Sequence, residues 1–227
     1  MFDLFDLFAL FGYTQVQNAL LAGSLVAVVA ALAGYFLLVR GLTFAAHALP
    51  NIGFAGAAGA VWLQVDPVYG LFAFTLAAGV AIGLLGKGIR ERDITIGVLM
   101  TFALGLGLLF LQLYAGNAEL VYGILFGTIF GISPFDVWIT AIMSLICIAV
   151  LLVLFRPLLF SSLDPEVAQA RGVPVQLFAV IFMVLVAVVV SISVQIIGAL
   201  LVFTLLIGPA ATALRITSRP LLAILLA

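Results

Sequence analysis

Charge is what this sequence has least of. Its 227 residues include 8 Lys+Arg and 9 Asp+Glu, so that 7% are charged and 67% are apolar. A soluble domain carries about 25% charged residues, and a chain this poor in them cannot cover a globule with polar surface. The bilayer is the solvent these residues suit, and no nucleic-acid partner is expected. Cysteine is equally scarce: Cys147 has no partner in the chain, which excludes an intrachain disulfide and a thiolate metal cluster and leaves a small buried hydrophobe. The single histidine, His47, excludes a histidine-rich site. The single lysine, in Gly83-Leu84-Leu85-Gly86-Lys87-Gly88, lacks the spacing and the following Ser or Thr of a Walker A motif. No HExxH, no GxSxG and no carboxylate pair at depth is present, so the chain is not expected to be an enzyme. Energy for uphill movement of a solute would have to come from a separate subunit.

What is present is apolar runs long enough to cross a hydrocarbon core of about 30 Å, which takes about 20 residues of helix. Seven stretches answer: 18–39, 44–65, 68–86, 94–113, 138–155, 176–194 and 196–214. None alternates with period 2, which excludes barrel strands. The fold class is therefore all-α, a polytopic helical bundle in a single domain over 1–227. Leu120–Ile132 is apolar but too short to cross and is read as half inserted. At the N-terminus, Phe2, Phe5, Phe8 and Phe11 are three apart and separate from Asp3 and Asp6, as in a helix lying in the membrane interface.

The basic residues set the orientation. Arg40 follows the first span, Lys87, Arg90 and Arg92 the third, Arg156 and Arg171 the fifth, and Arg215 and Arg219 the seventh. All fall on one side, which the positive-inside bias assigns to the cytoplasm. The N-terminus and the connections near Asp66, Glu119 and Ser191/Ser193 are then outside. Small residues three or four apart, Gly53, Gly56, Ala57 and Ala60 on span two, Gly79 and Gly83 on span three, and Gly123, Gly127 and Gly131 on the half-inserted piece, allow close helix contact. Gly208-Pro209 removes a backbone donor near the inner end of span seven and is expected to kink or end that helix.

Two places carry chemistry. The segment 164–172 reads as a short helix: Asp164 is an N-cap, Pro165 suits the first position, Glu166 sits in the first turn, Ala170 and Arg171 in the last, and Gly172 takes the left-handed position before Pro174. Its caps fit either a solvated connector or a docking surface. His47 and Asn51 stack one turn apart on span two, where an imidazole and an amide need partners or a watered path. They suit either a transit site or an interfacial histidine with a bridging amide. Asp93 and Gln195 lie near the interface and are read as structural.

Several segments together resemble the permease subunits of bacterial ATP-binding-cassette importers for zinc, manganese and iron. They are Ala19-Leu20-Leu21-Ala22-Gly23; Arg40-Gly41-Leu42-Thr43-Phe44 with the small residues up to Gly59; Asp164-Pro165-Glu166-Val167-Ala168-Gln169-Ala170-Arg171-Gly172-Val173; and Ile197-Gly198-Ala199-Leu200-Leu201-Val202 with Leu205-Leu206-Ile207-Gly208-Pro209-Ala210-Ala211-Thr212-Ala213. The third and fourth are the specific ones, and the likeness covers nearly the whole chain. It implies a homodimeric or heterodimeric permease in the bacterial inner membrane, a cytoplasmic ATPase contacting the 164–172 helix, an extracytoplasmic solute-binding protein, and a divalent metal ion as substrate with no permanently bound cofactor. Relatives carry an Asp and a His one turn apart on the second span, and His47 and Asn51 stand there, so the anionic oxygen is lost. A metal chelate or another small solute as cargo, or a degenerate non-transporting subunit, remain as alternatives. Relatives also continue with one or two further spans, so the chain, which stops at Ala227 after opening a helix at Pro220, is expected to be truncated relative to them.

Overall fold

The computed structural model describes residues 12–85, 89–114, 123, 126, 127 and 131–227. The N-terminal phenylalanine stripe, Lys87, Glu119 and most of the piece expected to be half inserted lie outside them. The helices are α1 (Thr14–Val39), α2 (Thr43–Trp62), α3 (Pro67–Leu84), α4 (Ile89–Leu113), α5 (Pro134–Leu163), α6 (Pro165–Ala170), α7 (Val175–Ile197), α8 (Ala199–Ile216) and α9 (Pro220–Leu226), and no strand occurs among the described residues. Six of them, α1, α3, α4, α5, α7 and α8, are long and apolar enough to cross a membrane. The seventh expected span is α2. Its 20 residues give a helix of spanning length, but His, Asn, Pro and many Gly and Ala lower its hydropathy. Its position explains that composition, since it packs along α3 and α4 and meets neighbours more than lipid.

Small residues let those neighbours touch backbone to backbone. A Cβ on Gly56 would collide with the Gly70 carbonyl oxygen, and one on Gly70 with the Gly56 carbonyl oxygen. A Cβ on Gly53 would come within 2.7 Å of both Leu71 Cδ1 and Thr75 Oγ1. The Thr75 hydroxyl donates to the Leu71 carbonyl of its own helix, so this crowded contact leaves no polar atom without a partner there. The expected stripes on α2 and α3 therefore lie at the helix crossings. Gly79 and Gly83 extend the pattern to α7, facing Met183 and Val180. Gly34 does the same between α1 and α8, where Leu206 and Ala210 approach it. Of the stripe expected around Leu120–Ile132, Gly127 packs against the backbone of Ile196 to Gly198.

Helix ends follow local chemistry. The Asp66 side chain accepts from Val68 N at 2.9 Å, with Pro67 opening α3. Ser133 and Asp136 form a reciprocal capping box, with Ser133 Oγ accepting from Asp136 N at 3.2 Å and Asp136 Oδ2 accepting from Ser133 N at 3.0 Å. The helix this opens, α5, runs 30 residues, about 45 Å, well past the 138–155 stretch that hydropathy alone delimits.

Two expectations are corrected. The sixth and seventh spans are not separated near Ser191 and Ser193. Both serines are buried within α7, where their hydroxyls donate to the carbonyls of Ala187 at 2.9 Å and Val189 at 2.6 Å. The break falls at Gly198, with φ 82° and ψ 156°, a region open essentially to glycine alone. Of the kink or end expected at Gly208-Pro209, the end does not occur: α8 continues through Pro209 to Ile216. Proline withholds a donor from the Leu205 carbonyl, but one missing bond does not end a helix whose Val202, Leu206, Ala210 and Ala213 are buried against its neighbours.

The two ends of the bundle are tied by polar contacts. At one end Asn18 Nδ2 donates to the Ile132 carbonyl at 3.1 Å. At the other, Arg40 Nη2 donates to Ser161 Oγ at 3.1 Å, Arg92 Nη2 to the Gly41 carbonyl at 2.9 Å, and Gln176 Nε2 to the Leu84 carbonyl at 3.2 Å. Arg40 and Arg92 thus meet at one end, as the pattern of basic residues requires.

Two stability outcomes follow. Gly56→Val overpacks the α2–α3 crossing and should cost about 1–3 kcal/mol or prevent assembly, whereas Gly23→Ala, with no described residue within 4 Å of the new Cβ, should leave the detergent-solubilised melting midpoint unchanged or higher by helix propensity. Gly198→Ala should lower the midpoint by an amount equivalent to roughly 1–3 kcal/mol of backbone strain. A Gly198→Ala protein that melts with the wild type would show that α7 and α8 connect in another conformation.

Candidate functional site

The chain leaves α1 at Arg40, turns through Gly41 at φ 64°, and enters α2 at Thr43. His47 follows one turn later. It is the one exposed side chain between Thr43 and Val61, on a helix otherwise enclosed or half-enclosed. Its ring stands edge-on to Phe203 of α8, centroids 5.1 Å apart at 76°, and 6.4 Å from Phe44. Asn51 lies on the same face one turn on, as its spacing predicts. Asn51 Nδ2 donates to the His47 carbonyl at 2.8 Å and sits 4.0 Å from Met100 Sδ. Pro50, immediately before it, brings no N–H to the ladder and leaves the Ala46 carbonyl one donor short, while the Asn51 amide gives the next carbonyl, His47, an additional donor. The amide nitrogen is therefore committed to backbone, and Oδ1 is the atom left to face a solute.

His47 lines a cavity of about 520 Å³ together with Gly41, Thr43, Phe44, Asp93 and Phe203. The presence of Asp93 was not legible from the sequence, which gave it a structural role beside the interface. Asp93 Oδ1 is buried and has no hydrogen-bond partner among the described residues. The available signal was its position: it is the acid that opens the fourth span, next to Arg92. A second cavity, about 590 Å³, adjoins the first across Phe44, which lines both, and includes Gly97, Met100 and Thr101.

The arginines do more than mark an end. Besides its bond to Ser161, Arg40 holds its guanidinium 5.4 Å from the centre of the Phe182 ring, while Nη1 is buried without a hydrogen-bond partner among the described residues. Burial first, then the nearby Arg92 charge, pulls Arg40 down to about 10, so it remains a cation at neutral pH. Arg92 Nε is likewise buried and without a hydrogen-bond partner among the described residues. Among the described residues no three of His, Cys, Asp and Glu gather as a metal cage.

The segment 164–172 has the capped form its residues predict. Asp164 Oδ1 accepts from Val167 N at 3.0 Å, Pro165 opens α6, Glu166 lies in its first turn, and Arg171 is the C-cap. Gly172 N donates to the Gln169 carbonyl and Val173 N to the Ala168 carbonyl, both at 3.0 Å, the paired bonds of a Schellman ending, with Gly172 at φ 80°. Ala168 is buried and every other α6 side chain, with Asp164, Arg171 and Gly172, is exposed. Arg171 rests its guanidinium 5.9 Å from the centre of the Phe160 ring. Helix α6 is thus short, with both ends fixed by caps and all but one of its side chains exposed. Gly208 and Pro209 contribute no group to either place.

Comparison with known proteins bears on what such a bundle is. The chain is 32% identical over 211 residues to "Manganese transport system membrane protein MntC" of Halalkalibacterium halodurans, spanning 92% of this chain and 72% of that protein. It is 31% identical over 199 residues to "Manganese import system permease protein ScaB" of Streptococcus gordonii, spanning 87% of this chain and 71% of the relative. In three dimensions it resembles a chain of "PsaBC from Streptococcus pneumoniae in complex with Fab", with a TM-score of 0.80 and 30% identity over 94% of this chain and 77% of that one. Residues 12–227 match the family described as "ABC 3 transport family". This chain is a multi-pass membrane protein of the ABC 3 transport family.

Proposed function

We propose that the chain is the membrane permease of an ATP-binding-cassette importer that carries a divalent transition-metal ion, manganese foremost, into the cytoplasm. The observation that carries the reading is the likeness, over nine-tenths of the chain, to proteins named as manganese permeases. The cavity beside His47 supports it, since it offers an imidazole and a carboxylate and, among the described residues, no third such ligand to close a cage. Weak, few-ligand contacts suit a passing ion, which a tight four-ligand site would retain.

In this reading residues 1–227 form one permease domain that pairs with a second permease subunit, of the same or another chain, in the bacterial inner membrane with the N-terminus outside. A solute-binding protein delivers metal to the outer face. A separate cytoplasmic ATPase engages α6 through Asp164, Glu166, Ala170, Arg171 and Gly172, and alternating access carries the ion past His47 and Asn51. The energy and the hydrolytic chemistry belong to the ATPase subunit. Pro209 leaves α8 one backbone bond short next to Gly208, which suits a helix that flexes as the path opens.

The test is reconstitution of the chain with its ATPase in proteoliposomes and measurement of ATP-driven uptake of manganese, zinc and iron. Manganese should accumulate faster than the other two, and His47→Ala should reduce its uptake roughly 10- to 100-fold, the scale of losses around metal ligands. Equal transport of all three, or none, would set the manganese reading aside. Reversing the charges on α6 with Glu166→Lys and Arg171→Glu should abolish co-purification of the ATPase while leaving the melting midpoint of the permease within about 1 kcal/mol, since both side chains are exposed.

A further inference from the structure

Helix α2 contains no carboxylate, so the face carrying His47 and Asn51 supplies two neutral ligands and no anionic oxygen. A hard or borderline divalent ion such as manganese binds poorly to such a pair. The cavity next to His47 provides what α2 lacks. Asp93, from the first turn of the α4 span, lines it with His47, and its Oδ1 is buried with no hydrogen-bond donor among the described residues. A carboxylate oxygen removed from water without a donor is poorly compensated unless another positive group reaches it. Arg92 is the adjacent cation and its charge acts on Asp93, but its Nη2 donates to the Gly41 carbonyl and no hydrogen bond from it reaches Asp93 Oδ1. Arg40, the other cation at this end, donates to Ser161.

We propose that His47 and Asp93 together form a subsite for the transported divalent cation, with Asp93 providing the anionic oxygen and His47 the imidazole nitrogen. The inference rests on the reading of the chain as a metal permease and names the group that makes passage feasible without an acidic residue on α2. Phe44 and Phe203 flank the imidazole and restrict its ring, and the remaining walls are the backbone turn at Gly41 and the hydroxyl-bearing Thr43. One carboxylate and one imidazole from a chain bind an ion without caging it. The positive charges of Arg40 and Arg92 close by further weaken retention of a dication. Phe44 also borders the neighbouring cavity, where Met100 touches Asn51.

The decisive experiment uses the permease–ATPase complex in proteoliposomes with manganese as the probe. Asp93→Asn and His47→Ala should each lower uptake about tenfold or more, and the double variant should fall little further, because both act on one ion. Exchange of the two groups, His47→Asp with Asp93→His, should restore uptake well above either single variant. A carboxylate that merely positions Arg92 would not be replaced in this way. A second readout does not depend on transport. Thr43→Cys places a thiol on the cavity wall, while native Cys147 is buried and silent. Manganese should slow maleimide labelling of that thiol, and Asp93→Asn should abolish the protection. Wild-type uptake by Asp93→Asn, or labelling indifferent to manganese, overturns the subsite. Absence of uptake of any metal by the wild type would instead defeat the permease reading, and the labelling result would still decide whether the cavity holds the cation.

Discussion

The backbone contact between α2 and its neighbours is the constraint on which the rest of this structure depends. In lipid, apolar surface gains little by pairing with apolar surface, and helices associate through close packing and polar contacts. At the Gly56–Gly70 crossing the two helices meet with no side chain between them, and Gly53 rests on Leu71 and Thr75. This proximity is what allows α2 to contain a proline, a histidine and an asparagine and still lie in the middle of a membrane bundle. Enclosed on nearly every side, it exposes His47 alone between Thr43 and Val61. A helix surrounded by lipid could not present one imidazole in this way, because its polar positions would have no protein wall to shelter them.

The same constraint governs what the sequence could reveal. Features decided within a few residues were legible. The caps of α6 follow from Asp164, Pro165 and Gly172 in place, and the apolar runs locate the long helices, since both depend on local backbone chemistry and on length. The meeting of Arg40 and Arg92 at one end was likewise readable, through the alternation that charge imposes on successive spans. Boundaries were less legible where polarity is a poor guide. Ser191 and Ser193 look like a connection, yet each hydroxyl is satisfied by the carbonyl four residues back, so the helix continues and the turn waits for Gly198. Pro209 looks like a stop, yet burial of Leu206 and Ala210 on either side outweighs one lost hydrogen bond.

The candidate site divides along that line. The stacking of His47 and Asn51 is a consequence of helical period and could be read directly. The approach of Asp93 could not, because it depends on how α4 lies against α2, which small residues dispersed over both helices decide together. Gly107 packs on the backbone of Ala55, and Phe110 closes over Gly59, fixing the two helices along their length. With that register established, Asp93 at the opening of α4 comes beside the first turns of α2. Hydropathy records a carboxylate at an interface and gives no sign of the neighbour waiting there.

The arginine end connects this cavity to the exposed helix. Arg92 is bonded to the Gly41 carbonyl, in the turn that launches α2, and Arg40 in the same turn is bonded to Ser161. Ser161 stands near the end of α5, just before Asp164 caps α6. These bonds form a continuous sequence of short polar links and rigid helix ends from α6 to the wall of the cavity. Buried guanidinium groups are costly, and Arg40 and Arg92 each keep a nitrogen without a hydrogen-bond partner among the described residues. Apolar residues would fill the same volume with less penalty, but they would not hold the α1–α2 turn to α5 and α4 through directed bonds. Part of the charge that is so scarce in this chain thus stands where three helix ends must keep a fixed relation to one another, and where half-buried Asp93 lines one cavity with the only histidine.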